Sequence, residues 1–283
     1  MSDSVEPVVM REESQAAALV PETRTPWRPR HGIRFSRLAA VLLRRYWPIL
    51  GILGLWQGIV TFGAVPAILV PPPAKVIADV TGNASLYLDA TASTLELAIL
   101  GLSAGMLLGL SLAVLGWLSP LLSWLLSPPA VTIRSVPIVA IIPIVARIVG
   151  YDEKTVITVA ALIAFFPSFV FATAGLRATP TAARDLFAVL GARKLTTLLR
   201  LALPAAVPSI LIAFRIAVAF MMLGAVTAQY LIGYTGLGAI LVLAESELNE
   251  PRVWAVGILT TVVSLTAFLG SQRLEEWARV RWS

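Results

Sequence analysis

The chain contains no cysteine and only one histidine, His31, among its 283 residues. Without cysteine it can form no disulfide, thiolate nucleophile or cysteine-ligated metal site. It also has no HExxH, GxxxxGK[ST] or GxGxxG pattern, so the common zinc, P-loop and dinucleotide motifs are missing. These absences predict a protein with no catalytic residues, no metal site and no cofactor bound by this chain.

Charged residues are scarce as well. They make up 13% of the chain, whereas hydrophobic residues make up 58% and the mean hydropathy is +0.84. A soluble domain carries about 25% charged residues, so this surface suits lipid better than water. Apolar runs of about 20 residues cross a bilayer as helices, which satisfy their own backbone polar groups. The expected fold class is therefore an all-α integral membrane protein.

Six apolar runs predict six transmembrane spans, at 47–66, 92–117, 131–150, 154–175, 207–231 and 252–271. Residues 1–35 are polar and are predicted to form a flexible cytoplasmic tail, because they lack apolar periodicity. Residues 36–283 then form one membrane domain. The first apolar run starts too late for a signal peptide.

The basic residues indicate the orientation of these spans. Arg34, Arg37, Arg44 and Arg45 precede the first span, which predicts a cytoplasmic N-terminus. Basic residues are also concentrated in the loop between spans four and five, whereas loop 232–251 has none. Six spans place both termini in the cytoplasm. The net charge of +6 is thus an orientation signal, and no nucleic-acid partner is expected.

Smaller features concern packing between spans. The stretch "VPPPAKV" at 70–76 predicts a stiff connector outside the membrane. Gly101, Gly105 and Gly109 share one helix face, where another helix can approach closely. Pro137 and Pro143 in the third span indicate either ordinary membrane packing or a helix that lines a pathway.

The loop between spans four and five, about 180–203, is predicted to form two short helices with a glycine corner. Thr179 and Pro180 suggest a cap followed by the first helical residue. The apolar residues of the first helix are spaced i, i+3, i+4 and i+7, and they are Ala183, Leu186, Phe187 and Leu190. Gly191 ends this helix. The second helix is expected to share one apolar face, made of Leu195, Leu198, Leu199 and Ala202.

Two interpretations of this loop remain open. A basic amphipathic segment can lie on anionic lipid. Alternatively, Phe187 and Leu190 present an apolar knob to a soluble partner.

The same loop resembles the cytoplasmic coupling loop of ABC-importer permeases. Gly191-Ala192 and Leu203-Pro204 match the family's spacing, whereas Asp185-Leu186-Phe187 stands where the family has Glu-Ala-Ala. The stretches "VPPPAKV", "VPIVAIIPIVARIVG" and "TGLGAIL" are similar to further family segments, so the resemblance covers about residues 65–270. It is greatest to the sulfonate, taurine and nitrate importer subfamily. The family usually has Ala-Glu late in the fifth span, and this chain has Ala228-Gln229.

The resemblance implies a type I permease architecture, with a homodimer of six-span bundles in a bacterial plasma membrane. Its implied partners are a second permease copy, two cytoplasmic ATPases that use ATP and Mg, an extracytoplasmic substrate-binding protein and the lipid bilayer. The chain itself would be non-catalytic and would transmit motion from the ATPases by alternating access. The implied ATPase-coupling residues are Ala183, Asp185, Leu186, Phe187, Leu190, Gly191, Ala192, Arg193, Lys194 and Pro204.

A translocation pathway between the two copies is expected to be lined by spans two to five. The candidate residues are Pro137, Pro143, Arg215, Met221, Met222, Thr227 and Gln229. Arg215 is the one basic residue well inside a span, and it either pairs structurally with a helix end or carbonyls, attracts an anion or contacts the coupling region. The implied substrate is a small anion such as a sulfonate, taurine or nitrate. The alternative function is an ion-coupled secondary transporter that acts without an ATPase.

Overall fold

A computed structural model describes residues 34–63, 66, 69–126 and 136–282. The chain divides into two units, Met1–Ile52 and Leu53–Ser283. Of the first unit, the described part is helix from Arg34 onward. Residues 1–33 of the tail predicted at 1–35 lie outside the described residues, and residues 34 and 35 belong to α1. All tertiary contacts below belong to the second unit.

The described residues are helical almost throughout. The helices are α1 (Arg34–Thr61), α2 (Pro73–Gly82), α3 (Ala84–Leu118), α4 (Ile138–Val149), α5 (Glu153–Arg177), α6 (Thr181–Val189), α7 (Lys194–Thr197), α8 (Leu203–Ile232), α9 (Leu237–Ser246) and α10 (Glu250–Trp282). A π-helical turn, Leu198–Ala202, joins α7 to α8. Residues 120–126 form a further short helical segment after α3.

Four helices are long and apolar enough to cross a bilayer: Ala84–Leu118, Glu153–Arg177, Lys194–Ile232 and Glu250–Ala278. They contain the predicted second, fourth, fifth and sixth spans. The predicted first and third spans correspond to shorter apolar helices in the described part, Leu50–Thr61 and Ile138–Val149. The multi-pass all-α class is therefore confirmed, and the count of six spans stays a prediction.

Cross-helix contacts establish the directions of the long helices. Gly101 of α3 lies against Ala160 of α5, and Gly109 lies further along against Phe165, so α3 and α5 run parallel. Gly175 at the end of α5 meets Ala206 at the start of α8, so α8 runs the opposite way. One end of the bundle, which we call the α6 end, therefore carries α6 and the end of α10. The other, which we call the α2 end, carries α2, α9 and the start of α10.

The predicted close approach at Gly101, Gly105 and Gly109 is confirmed. A Cβ on Gly101 would lie 2.7 Å from the Ile157 carbonyl oxygen, and one on Gly109 would lie 2.8 Å from that of Phe165. A Cβ on Gly105 would overlap the Ala161 carbonyl. The missing side chains thus allow the backbones of α3 and α5 to touch, as small residues do between membrane helices.

Two predicted connectors are wrong, because both contain a helix. The loop expected at 67–91 contains α2, which begins at Pro73, and α3 already begins at Ala84. Proline is well accommodated in a first helical turn, where its missing N–H has no intrahelical partner. The loop expected at 232–251 contains α9. That segment is apolar but has only ten residues, so hydropathy over a span-length window does not detect it.

Candidate functional site

Helix α6 begins one residue later than the sequence predicts. Pro180 is its N-cap, so Thr179 is not the cap and Pro180 is not the first helical residue. The preceding turn is closed instead by Arg184, whose Nη2 donates to the backbone oxygens of Arg177 at 3.1 Å and Thr179 at 3.0 Å. Arg184 therefore holds the start of α6 against the end of α5.

Gly191 ends α6 in the left-handed conformation, with a φ of 68°, as the sequence predicts. The Gly191 N–H donates to the Ala188 oxygen and the Ala192 N–H donates to the Phe187 oxygen, both at 3.0 Å. This pair of bonds is a Schellman motif, which satisfies carbonyls at a helix end and favours glycine at the left-handed position. The corner is thus fixed by backbone bonds as well as by residue type.

The outer surface of α6 carries an apolar stripe. Leu186 is 56% exposed, Val189 86% and Leu190 71%, and their i, i+3, i+4 spacing places them side by side. Phe187, the aromatic residue predicted to form the knob with Leu190, is half-buried. Val189 was missed because the pattern match used Ala183, Leu186, Phe187 and Leu190, which left it off the apolar face.

The second predicted helix is not a separate element. Helix α7 continues through the π-helical turn directly into α8, as one apolar helix from Lys194 to Ile232. Its four apolar residues also do not share one environment, because Leu198 and Ala202 are buried whereas Leu195 and Leu199 are more than half exposed. The two buried residues and the two exposed ones are each spaced i, i+4, so the packing of the bundle divides the predicted face into a buried and an exposed half.

The π-helical turn anchors the loop in the bundle. Leu198 and Ala202 belong to a buried cluster with Ala113 of α3, Leu176 of α5 and Ala206 of α8. The part of the loop that follows α7 is therefore packed against three long helices, whereas most of α6 is exposed.

The other predicted coupling residues lie on the same loop. Asp185, Arg193 and Lys194 are exposed, and Ala183 and Ala192 are half-buried. Pro204 lies in the first turn of α8, inside the long helix that contains the predicted fifth span rather than before it. The predicted residues are thus close along the chain, and α6 with its glycine corner is the part that faces outward.

The predicted pathway residues do not form one cluster. Met221 and Met222 are buried in the core of the bundle, at 3% and 0% exposure. Pro137 is the N-cap of α4 and Pro143 lies inside that helix, and both are exposed. The Thr227 hydroxyl donates to the Leu223 oxygen of its own helix. Of these residues, only those on α4 present an open surface, and the pathway itself stays a prediction.

Gln229 is fully buried in a polar junction between α3, α8 and α9. Its Oε1 accepts from the Thr94 hydroxyl at 2.9 Å and from the Gly238 N–H at 3.3 Å. Thr94 Oγ also accepts from the Leu237 N–H at 2.9 Å. Gln229 and Thr94 together satisfy the first amides of α9, which would otherwise have no partner.

Arg215 forms an ion pair with Glu275 of α10, with Nη1 2.9 Å from Oε2. The side chains are 33% and 6% exposed. Arg215 thus has a structural partner, but it is a carboxylate and not the helix end or backbone carbonyls that the sequence suggested. Glu275 escaped notice because the last span was expected to end at 271, whereas α10 continues to Trp282.

A second polar cluster, at the α2 end, was not predicted. The Asp79 carboxylate of α2 accepts a hydrogen bond from the Tyr87 hydroxyl and pairs with Arg252 of α10 at 3.3 Å. Asn83 Nδ2 also donates to Asp79 at 3.1 Å. These bonds attach α2 to the starts of α3 and α10. Asp79, Asn83 and Tyr87 are spaced i, i+4 and i+8, which places them on one face of a helix. The sequence could have revealed this cluster if the connector had been predicted as helical.

These features define an all-helical, multi-pass membrane protein with parallel α3 and α5 and a structured loop before α8. Residues 105–280 match the model of a family described as "Binding-protein-dependent transport system inner membrane component". The chain belongs to this family, and its resemblance to ABC-importer permeases is confirmed.

Relatives support the same assignment. A probable ABC transporter permease protein of Haemophilus influenzae is 32% identical over 77% of this chain and 89% of its own length. A formylaminopyrimidine transport permease protein of Halalkalibacterium halodurans is 27% identical over 73% and 83%. A putative aliphatic sulfonates transport permease protein of Bacillus subtilis is 27% identical over 89% and 91%. The chain is therefore a permease of the ABC-transporter type, that is, a membrane component of a transport system.

The fold is also found in a solved structure. A chain in the crystal structure of an amino acid ABC transporter with histidines superimposes with a TM-score of 0.59, over 70% of this chain and 97% of that chain. The sequence identity is 18%, so this likeness concerns the fold alone.

Proposed function

We propose that this chain is the permease subunit of an ATP-driven importer, which moves a small solute inward by alternating access. The observation that carries the proposal is the exposed apolar surface of α6. This helix bears the apolar stripe Leu186, Val189 and Leu190, and the Gly191 corner and the buried residues of the π-helical turn connect it to the bundle. Such an element suits a docking contact whose motion must reach the spans.

The proposed partner at this stripe is a cytoplasmic ATPase with an apolar groove. A helix with apolar anchors at i, i+3 and i+4 fits such a groove. Asp185 and Arg193 are exposed on the same loop and would make polar contacts with the ATPase. ATP and Mg would act in the ATPase, and the permease would respond by shifting between two packings of its helices.

The proposed orientation places the α6 end in the cytoplasm. Among the described residues, Arg177, Arg184, Arg193, Lys194, Arg200 and Arg273 lie at that end. Lys75, Arg147, Lys154 and Arg252 lie at the other, where Asp152, Glu153, Glu245, Glu247 and Glu250 offset them. This asymmetry follows the positive-inside rule. Both termini would then be cytoplasmic, and α2 and α9 would face an extracytoplasmic binding protein.

We further propose that two copies of the chain pair, with the translocation pathway between them. The surface of α4 supports this arrangement, because Val139, Ile144 and Ile148 are 52%, 60% and 77% exposed. Pro137 and Pro143 lie on the same helix. The sequence resemblance favours a sulfonate, taurine or nitrate as the solute. The name of the B. subtilis relative agrees with that class, whereas the name of the H. halodurans relative indicates a pyrimidine. Titrating the partner binding protein with each class by calorimetry decides between them.

Substitution of Leu190 by aspartate tests the docking role. The matched control is Leu248→Asp, because both leucines are 71% exposed and Leu248 lies at the α2 end. Loss of an apolar anchor costs about 2 kcal/mol or more of association free energy, which is about 30-fold in affinity. We expect Leu190→Asp and Phe187→Asp to lose the ABC ATPase that co-purifies with the wild-type chain, with normal membrane insertion. Leu248→Asp should retain it.

Gly191→Pro provides an independent test of the corner. Proline cannot adopt a positive φ, and it would remove the N–H that bonds to the Ala188 oxygen. We expect inserted protein with uncoupled ATP hydrolysis. Uptake that survives in all three variants, or in cells without the ATPase, would instead support the ion-coupled transporter.

A further inference from the structure

A cleft of about 410 Å³ opens at the α6 end, beside the start of α6. Its walls come from the end of α3, the segment 120–126, the end of α5, and α6 and α7. The side chains that matter are Trp117, Ser123, Trp124, Arg177, Arg184 and Lys194. None of the aromatic residues belongs to the predicted coupling or pathway sets.

Hydrogen bonds hold the walls of the cleft together. Trp117 Nε1 donates to the Leu176 oxygen at 3.1 Å, which joins α3 to α5. Arg177 Nη2 donates to Ser123 Oγ, which joins α5 to the segment 120–126. Arg184 bonds to the backbone at Arg177 and Thr179, as described above. The cleft is thus a built feature with a fixed arrangement of donors.

The charge of the cleft is one-sided. Arg177, Arg184 and Lys194 are cationic, and the described residues that line the cleft include no carboxylate. None of the three takes part in an ion pair within the described part of the chain. Their charges therefore suit an anion that offers several oxygens, because arginine and lysine donate well to phosphate.

Trp124 lines the cleft, and its neighbours Leu121 and Leu125 on the same helical segment are exposed; we call these three residues the apolar entrance. In the segment 120–126, Leu121 is 77% exposed, Trp124 82% and Leu125 66%. This segment directly follows the long apolar helix α3, and tryptophan is enriched where a membrane meets water. The cationic walls and the apolar entrance together match a ligand with a charged head and a hydrocarbon tail.

We propose that this cleft binds the phosphate of an anionic phospholipid, taken from the leaflet at the α6 end. The head group contacts Arg177, Arg184 and Lys194, and the acyl chains lie along Leu121, Trp124 and Leu125. Free phosphate shares the head-group chemistry but makes no use of the apolar entrance. Because Arg184 belongs to α6, a bound lipid connects the exposed helix to the end of α3.

The test uses the full chain, purified in detergent with phosphatidylcholine and phosphatidylglycerol and analysed by native mass spectrometry. We expect the wild type to retain phosphatidylglycerol selectively. Each basic residue near an anionic lipid contributes about fivefold in affinity, so Arg177→Gln should weaken retention about fivefold. Arg177→Lys keeps the charge and should retain the lipid. Arg273→Gln, an exposed arginine at the same end, is the matched control and should behave as wild type.

Further measurements distinguish the lipid from inorganic phosphate and from the ATPase as the ligand of the cleft. Trp124→Ala should weaken retention of phosphatidylglycerol and leave binding of inorganic phosphate unchanged. The proposal is overturned if Arg177→Gln retains phosphatidylglycerol as the wild type does, or if inorganic phosphate displaces the lipid at equal concentration. It is also overturned if Arg177→Gln loses only the co-purifying ATPase, since the cleft would then belong to that partner. A thermal melt of each variant separates lost binding from lost folding.

Discussion

Arg215 and Glu275 form an ion pair whose atoms lie 2.9 Å apart and which joins the middle of α8 to the last turns of α10. Glu275 is nearly enclosed, with 6% of its side chain exposed. A buried charge in a membrane protein is costly without a partner. The pair therefore explains how a chain with so few charges accommodates an arginine within a long apolar helix.

Removing Arg215 should destabilise the fold more than removing Glu275. Arg215→Gln removes the cation that lies 2.9 Å from an enclosed carboxylate, and breaking a buried pair costs about 3–5 kcal/mol. Glu275→Gln leaves a more exposed arginine and should cost less. The double variant Arg215→Met/Glu275→Met should recover most of the loss, since apolar replacement of a buried pair is often tolerated. Thermal unfolding in detergent, followed by tryptophan fluorescence, measures the order.

Arg273→Gln, two residues from Glu275 and exposed, serves as the control and should melt as the wild type does. A structural role for the pair would be refuted by an Arg215→Gln variant of normal stability. If that variant also took up an anionic solute poorly, Arg215 would act on the substrate.

The contact of α3 with α5 predicts that alanine destabilises the protein at one glycine of α3 and not at another. Gly105→Ala would place a Cβ against the Ala161 carbonyl, with the carbonyl carbon 2.9 Å away. Gly116→Ala would place its Cβ 3.6 Å from the nearest atom, on Ser123. Overpacking costs about 1–3 kcal/mol, whereas alanine in a helix gains about 0.5–1 kcal/mol over glycine.

We therefore expect Gly105→Ala to lower the midpoint of thermal unfolding, and Gly116→Ala to leave it unchanged or raise it. Size-exclusion chromatography before the melt shows whether each variant is assembled. If the two variants have the same midpoint of thermal unfolding, α3 and α5 can move apart without a loss of stability. That result would contradict the close packing of these helices.

The hydrogen bond that Thr94 accepts from the Leu237 N–H gives a prediction about the stability of α9. Thr94→Val keeps the shape of the side chain but removes the acceptor for the Leu237 N–H, and an unsatisfied buried donor costs about 1–3 kcal/mol. Hydrogen exchange at the first amides of α9 should then accelerate. Thr261→Val is the control, because Thr261 is exposed and bonds only within its own helix.

Gln229 gives the companion prediction. Gln229→Glu keeps an oxygen for the Gly238 N–H at a helix N-terminus, where a carboxylate is favourable, so exchange in α9 should stay slow. Gln229→Leu removes the acceptor and should accelerate exchange. If the glutamate and leucine variants exchange equally fast, the amide of Gln229 has a role other than capping α9.

The sequence predicted the long apolar helices well, because hydropathy over about 20 residues depends on composition alone. It also predicted the glycine face of α3 and the left-handed corner at Gly191, which follow from residue type and spacing. It failed at α2 and α9, which are too short for a span-length window. It failed again at the second coupling helix, where only the packing of the bundle decides which half of the apolar face is buried.

The sequence by itself thus determined the membrane class, the family pattern and the position of the basic loop, because each of these depends only on local composition and residue spacing. Tertiary structure alone decided that Arg215 pairs with Glu275, that Gln229 and Thr94 cap α9, and that Val189 rather than Phe187 is exposed on α6. The physical reason is distance along the chain. Thr94 and Gln229 are separated by 135 residues, and only the packing of whole helices brings such partners within hydrogen-bond reach.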